Sequence, residues 1–326
     1  MEIRLLSMGD VQRLLSMRDA LNAVEMAFRE KSRGNVEMPP KVYVFLRRFS
    51  GDFRVMPAYM PSLNAAGVKV VNVHPGNRDR GLPTVMASIL LLDPETGRPQ
   101  ALLDGTLLTS IRTGAAGGIA TRALARKNSR RVCFVGCGVQ ANYQLIAHKE
   151  VLGDFEGSAY DISSAQANSF VAFAKQNGVN VTVASSVREC TEGADVVVTT
   201  TPAREPVVMD EWISEGTHIN AIGADAPGKA ELDPRILKRA RIFVDDLEQA
   251  SHSGEVNVPL SKGILKADDI AGELGDVLEG RITGRTSDRD VTVFDSTGLA
   301  VQDIAVASLV YRKAVELGVG STFSMF

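Results

Sequence analysis

The sequence predicts an α/β chain in two parts: an α+β portion, then a parallel sheet covered by helices on both faces. Three observations predict it. From Arg131 onward, short apolar runs alternate with helical patterns, the rhythm of strand–helix–strand units. Ahead of them, one amphipathic helix is followed by several β-like runs joined by turn-rich segments. Between the two lies a stretch dominated by Ala and Gly. The 326 residues leave room for two domains of about 150 residues each.

The elements follow in order. Ser16 and Asp19 have the spacing of a capping pair. Met17, Leu21, Val24 and Phe28 then share one helical face, and Gly34 is the expected stop. After Met38-Pro39-Pro40 come Lys41 to Leu46, Phe53 to Tyr59, Val68 to Val73, Thr84 to Leu92 and Ala101 to Leu103, predicted as a largely antiparallel or mixed sheet. Thr106 to Arg126 forms a helix of small residues that packs close to another backbone and crosses into the second part. There the predicted strands are Val132 to Val135, Ser158 to Tyr160, Val181 to Val183, Val196 to Thr199, His218 to Ile222, Ile242 to Val244 and Val291 to Phe294. A final helix from Ala300 to Leu317 returns to the first part. The expected domains are 1–115, joined by a C-terminal helix over 300–326, and 116–299.

Composition narrows the function. Hydrophobic residues are 44% and charged residues 23%, ordinary for a globular protein. A net charge of −3 gives no reason to expect nucleic acid or an anionic membrane. The apolar runs fall far short of the roughly 20 residues that span a bilayer. The opening MEIRLLSMGD lacks a signal-peptide core, so a cytoplasmic protein is expected. Cys133, Cys137 and Cys190 suit a reducing compartment and read as small packed hydrophobes. Cys133 and Cys137 look like a pair, yet no Cys/His set completes a zinc site, and no metal is expected.

Gly136-Cys137-Gly138-Val139-Gln140-Ala141 is a GxGxxA sequence that follows a strand and opens a helix. This is the Rossmann dinucleotide-binding fingerprint. Gly136 makes the tight turn, Gly138 admits a pyrophosphate, and Ala141 allows close helix–strand packing. The helix start at Val139 and Gln140 would face the phosphates with backbone N–H groups and the positive end of the dipole. Asp161 ends the next strand, about twenty residues on, where a carboxylate accepts the ribose hydroxyls and repels a 2′-phosphate, favouring NAD over NADP. Thr200-Thr201-Pro202 and Gly223-Ala224-Asp225 end two further strands, where an open parallel sheet binds its ligands.

With these residues in view, the chain resembles the ornithine cyclodeaminase/mu-crystallin family over almost its whole length. The matching stretches include Met38-Pro39-Pro40-Lys41, Arg54-Val55-Met56-Pro57, Lys69 to Asn77, Gly81 to Val85, Arg112 to Ala116, Gly136-Cys137-Gly138, Ile222 to Leu232 and Phe294 to Gly298. Within the family it is most similar to the archaeal-type alanine dehydrogenases. The resemblance implies NAD-dependent, reversible oxidation of L-alanine to pyruvate and ammonia, and a homodimer joined through the sheets of the N-terminal domains. It also implies that Lys69 and Asp225 lie at the active centre, and that Arg112, with Thr113 beside it, meets the cofactor phosphates. Ser296 is placed to meet the nicotinamide amide, and one of Asp295, Ser296 and Thr297 to cap the final helix. Two departures count against ornithine as substrate. Cyclodeaminases carry Glu where this chain has Arg54, and Gly-Asp-Cys where it has Ala224-Asp225-Ala226.

Oxidising an amino acid at Cα requires a cationic anchor for the carboxylate, a neutral amine and an activated water. Arg54 and Lys41 are the candidate anchors. Lys69, in a β run between Val68 and Val70, is partly desolvated and can act as base near neutrality. Asp225 at the crevice can activate the water or shuttle a proton. His74 shapes the Pro-Gly turn, and His148, His218 and His252 are structural. The alternatives are a cyclodeaminase, a cyclic-imine or ketimine reductase, and a non-enzymatic small-ligand binding protein like mu-crystallin.

Overall fold

The computed structural model describes residues 2–324. Its contacts divide the chain into two compact units, 1–112 with 299–326, and 113–298.

The chain begins with β1 (Glu2–Leu6), α1 (Met8–Leu14) and α2 (Met17–Ser32). Both helices start on capping boxes, Ser7 with Asp10 and Ser16 with Asp19. These satisfy N–H groups that a helix start leaves without partners. Met17, Leu21, Val24 and Phe28 of α2 are buried, each contributing about 1.5–3 kcal/mol of apolar burial. Five strands follow, β2 (Val42–Leu46), β3 (Gly51–Met60), β4 (Ala65–Val73), β5 (Val85–Leu92) and β6 (Pro99–Asp104). Alternation is clearest along β3 and β4. Arg54, Met56, Ala58 and Met60 of β3 and Ala65, Lys69 and Val71 of β4 face the core. The cross-strand pairs Met56–Lys69 and Arg54–Val71 place them side by side. Helix α3 (Thr106–Leu124) comes next. A Cβ on its Gly114 would lie 2.5 Å from the Tyr143 carbonyl oxygen, and one on Gly117 2.2 Å from Gln144 Oε1. Only glycine allows that approach.

The second unit runs β7 (Arg131–Val135), α4 (Val139–Leu152), β8 (Glu156–Tyr160), α5 (Ser164–Gln176), β9 (Asn180–Val183), α6 (Val187–Thr191), β10 (Val196–Thr199), β11 (His218–Ala221), α7 (Pro234–Arg239), β12 (Arg241–Val244), α8 (Leu247–Ser253), α9 (Asn257–Ser261), β13 (Ile270–Glu273), α10 (Leu274–Leu278) and β14 (Thr292–Asp295). The eight strands pair in parallel in the order β13-β12-β14-β11-β10-β7-β8-β9. Strand β7 is buried on both sides, Cys133 and Val135 in one apolar layer, Val132 and Phe134 in the other. Strand order reverses at β7, between β8 and β10, which opens a crevice at the strands' carboxyl ends. His148 and His218 are buried in this unit, the latter at the amino end of β11, in a polar chain through Thr121, Asn220 and Thr292. Burial pushes their imidazoles down to about 4 and about 3.

The chain closes with α11 (Ala300–Glu316) and β15 (Ser321–Ser324). In the first unit, α11 packs on α2 and across β3, β4 and β5. The sheet order is β15-β1-β6-β5-β4-β3-β2, antiparallel except for β1 with β6.

Four sequence expectations change. The C-terminal helix stops at Glu316, because Gly318, at φ 65, adopts the left-handed conformation and turns the chain into β15. None of Asp295, Ser296 and Thr297 caps α11; its N-cap is Leu299, whose N–H donates to Gln302 Oε1 at 3.3 Å. Strands β1, β13 and β15 were not anticipated; β1 and β15 pair with each other from opposite ends of the chain, which local pattern does not show. The cysteine pair is Cys133 with Cys190, a disulfide with Cα atoms 5.5 Å apart, while Cys137 is free. The pleat explains this. Cys133 faces the layer that holds α6, and Cys137 lies past the strand end against the opposite layer.

Candidate active site

In the first unit the chemistry gathers on the core face of the sheet. Lys69 projects from the middle of β4 and is 1% exposed. Its Nζ lies 2.6 Å from Asp303 Oδ2 on α11. The other oxygen, Oδ1, accepts from Arg112 Nε at 2.9 Å, and Arg112 Nη1 donates to Gln302 Oε1 at 3.0 Å. One buried carboxylate thus joins two cations. Burial is the main force pulling the Lys69 ammonium down to about 7, helped by the Arg112 and Lys41 charges and opposed by Asp303. An amine at that value is an effective proton acceptor near neutrality. Arg54 is also buried; its Nε donates to Asp52 Oδ1 at 2.9 Å, and its guanidinium lies 5.0 Å from the Tyr43 ring centroid. Lys41 is half-exposed just before β2. His74 stacks its ring where a Gly51 Cβ would stand and bonds Asn72, a turn-shaping position.

In the second unit the glycine loop takes the shape the fingerprint requires. Gly136 has φ 89, and a Cβ there would lie 2.9 Å from Thr201 Cγ2 and 3.1 Å from the Thr200 carbonyl carbon. Gly138 has open space where a Cβ would stand, and as N-cap of α4 it makes no side-chain cap bond. Val139 and Gln140 then open the helix. Ala141 is buried against the sheet. This cradle fits a pyrophosphate. Asp161 follows β8 and accepts from the Cys137 and Ser163 backbone N–H groups, each at 2.8 Å. The carboxylate is thereby oriented beside the glycine loop. Thr200 Oγ1 donates to the Gly136 carbonyl at 2.8 Å, and exposed Pro202 follows. Thr113 gives its carbonyl to Gln144 Nε2 at 3.0 Å.

Strand β11 leads into Gly223-Ala224-Asp225. Asp225 Oδ1 accepts from Lys229 Nζ at 2.5 Å, and Lys229 also reaches the Gly223 carbonyl at 3.3 Å. Ser296 is buried after β14, its N–H on the Ala221 carbonyl. Thr297 is held by Asp245 through both its N–H and its hydroxyl. Among the described residues no group of three or more His, Cys, Asp or Glu side chains has the arrangement of a metal site.

Sequence reasoning missed Asp303, Asp245, Lys229 and Glu231. Asp303 sits on an otherwise apolar helix face, and a lone acid there is the only signal the sequence carries.

A model of the Ornithine cyclodeaminase/mu-crystallin family matches residues 1–318. The chain belongs to this family. Among family members, the alanine dehydrogenase of Archaeoglobus fulgidus is 52% identical over 100% of this chain and 99% of its own. A solved archaeal alanine dehydrogenase dimer with bound NAD is 52% identical, covers 100% of both chains and has a TM-score of 0.96. The Delta(1)-pyrroline-2-carboxylate reductase of Thermococcus litoralis, solved with NADH and L-proline, is 40% identical over 98% of this chain and 99% of that one, with a TM-score of 0.95.

Proposed function

We propose that the protein is an NAD-dependent dehydrogenase that reversibly converts L-alanine, water and NAD+ to pyruvate, ammonium, NADH and a proton. The observation that carries this reading is the 52% identity to an alanine dehydrogenase along the entire chain. It is supported by a dinucleotide cradle that carries an acid, Asp161, at the ribose position, which favours NAD over NADP.

NAD, when bound, supplies the hydride acceptor. The rest falls to the chain. Lys69, neutral in good part near pH 7, takes a proton from the substrate ammonium so that the nitrogen lone pair is available as Cα–H breaks. Arg54 and Lys41 anchor the carboxylate. Arg112 is tied to the same carboxylate as Lys69, so we assign it to the substrate carboxylate rather than to the cofactor phosphates. Asp225, oriented by Lys229, activates the water that attacks the imine carbon. A cytoplasmic location is part of this proposal. No helix among the described residues is long and apolar enough to cross a membrane. A homodimer is supported by the outer face of the first sheet, where Val42, Val44, Val70 and Leu102 are exposed together.

The test mixes purified protein with NAD and L-alanine, and separately with L-proline or L-ornithine, and follows NADH absorbance and product identity. NADH and pyruvate from alanine are expected. NADH from proline alone would favour the cyclic-imine reductase, the reading closest to the Thermococcus litoralis relative. Proline and ammonia from ornithine, without NADH accumulation, would make this a cyclodeaminase despite Arg54.

A further inference from the structure

Glu231 lies on the loop after β11, is fully buried, and has no part in the chemistry above. Each of its oxygens accepts two hydrogen bonds. Oε1 takes the Thr201 N–H at 2.6 Å and the Thr201 hydroxyl at 2.8 Å. Oε2 takes the Thr199 hydroxyl and the Gly223 N–H, both at 2.8 Å. Four donors converge on one side chain, an arrangement that suits a carboxylate with both oxygens unprotonated. The two segments it joins end β10 and β11. The first packs on Gly136 of the glycine loop, and the second carries Asp225. Space at this junction is filled: a Cβ on Gly223 would lie 2.2 Å from the Thr201 carbonyl oxygen and 2.7 Å from Glu231 Cδ.

The loop that carries Glu231 is itself fixed from behind. Glu255 accepts the Glu231 and Leu232 N–H groups at 2.7–2.9 Å. Asp295, next to Ser296, accepts the Val256 N–H at 3.1 Å. Three buried acids thus form a ladder behind the carboxyl ends of β10, β11 and β14, the strand ends that carry the candidate cofactor residues. Burial, together with the Glu231 charge, pushes the Glu255 carboxyl well up, and burial also raises Glu231, against which its four donors act; keeping acids in so costly a place often brings no stability over apolar packing.

We propose that Glu231 is a positioning residue that, through its charge, fixes the Thr199–Thr201 and Gly223–Asp225 segments in the geometry that binds the dinucleotide. This rests on the cofactor reading above. Glu231→Gln keeps the shape but turns an NH2 group toward a backbone N–H whichever way the amide is flipped. Thr199→Val removes one donor, the hydroxyl on Glu231 Oε2, at a fully buried position.

The experiment measures NADH affinity by fluorescence on the full-length protein, the melting temperature, and steady-state kinetics with L-alanine. For Glu231→Gln the NADH Kd is expected to rise about tenfold or more, as expected for a lost charged hydrogen-bond set. The KM for NAD should rise with it, and the KM for alanine should stay near the wild-type value. Thr199→Val should show the same pattern, reduced to a few-fold, and carries the test if Glu231→Gln does not fold. A lower melting temperature with unchanged NADH Kd in the folded variants would overturn the proposal and leave Glu231 a stability residue. Wild-type protein that bound no NADH would overturn the cofactor reading and this inference with it. NADH binding without alanine turnover would overturn only the substrate, leaving the Glu231 comparison decisive.

Discussion

The charges around Lys69 make a prediction whose sign can be tested in both directions. In the alanine-to-pyruvate direction the neutral amine is the active form, so kcat/KM should rise with pH through a limb near the Lys69 value of about 7. Asp303, with Oδ2 2.6 Å from Nζ, stabilises the ammonium, while Arg112 and Lys41 destabilise it. Asp303→Asn should therefore move the limb to lower pH. Arg112→Gln and Lys41→Gln should move it to higher pH. Two unit charges about 4 Å apart at an effective dielectric near 20 interact by about 4 kcal/mol, equivalent to about three pH units. Water entering the variant site reduces this, so a shift of about one to three units is expected for Asp303→Asn, and less for half-exposed Lys41. The assay is the pH profile of kcat/KM for L-alanine at saturating NAD, read by the position of the limb and not its height, since Arg112 and Lys41 are also proposed to bind substrate. Asp303→Asn leaves two buried cations without their anion and is the variant most prone to unfold. Lys41→Gln is then the sign test that survives. Limbs that moved the same way in the Asp303 and Arg112 variants, or a wild-type profile flat between pH 6 and 8, would refute Lys69 as the base.

Three further outcomes are expected. Asp161→Ser should raise the KM for NAD by about tenfold to a hundredfold, since a charged acceptor of the ribose hydroxyls is lost, while NADP use improves or stays level; an unchanged NAD KM would remove Asp161 from the cofactor site. Gly136→Ala should weaken NADH binding at least tenfold, because a Cβ is strained at φ 89 and meets Thr201 Cγ2 at 2.9 Å; calorimetric or fluorescence titration checks it. Oxidised, denatured protein should show one titratable thiol, Cys137, and three after reduction. Reduction of the Cys133–Cys190 bridge, which spans 57 residues, should lower stability by about 4 kcal/mol on a loop-entropy basis, seen as a lower melting temperature. Equal melting temperatures with and without reductant would show that the staple contributes nothing.

Much of the fold was legible because its signals are local. The Ser16–Asp19 capping box, the stripe from Met17 to Phe28 and the alternation along β3 and β4 each lie within a few residues, where helix and strand periods act directly. The glycine loop was legible for the same reason: turn, strand end and helix start are contiguous in sequence. Lys69 could be picked out because a lysine flanked by valines in a strand breaks the expected pattern. The sequence could not say what Lys69 touches. Its partner Asp303 lies on the last helix, and Arg112, 191 residues from Asp303, completes the group only because α11 packs across the sheet. The pairing of Cys133 with Cys190 rather than Cys137, and the convergence of four donors on Glu231, depend in the same way on which face of a strand meets which helix. The sequence by itself determined most of the elements and the glycine loop, because hydrophobic period and backbone conformation are properties of neighbouring residues. The tertiary structure alone decided which charges share a buried environment, because burial and electrostatic coupling depend on distance in space.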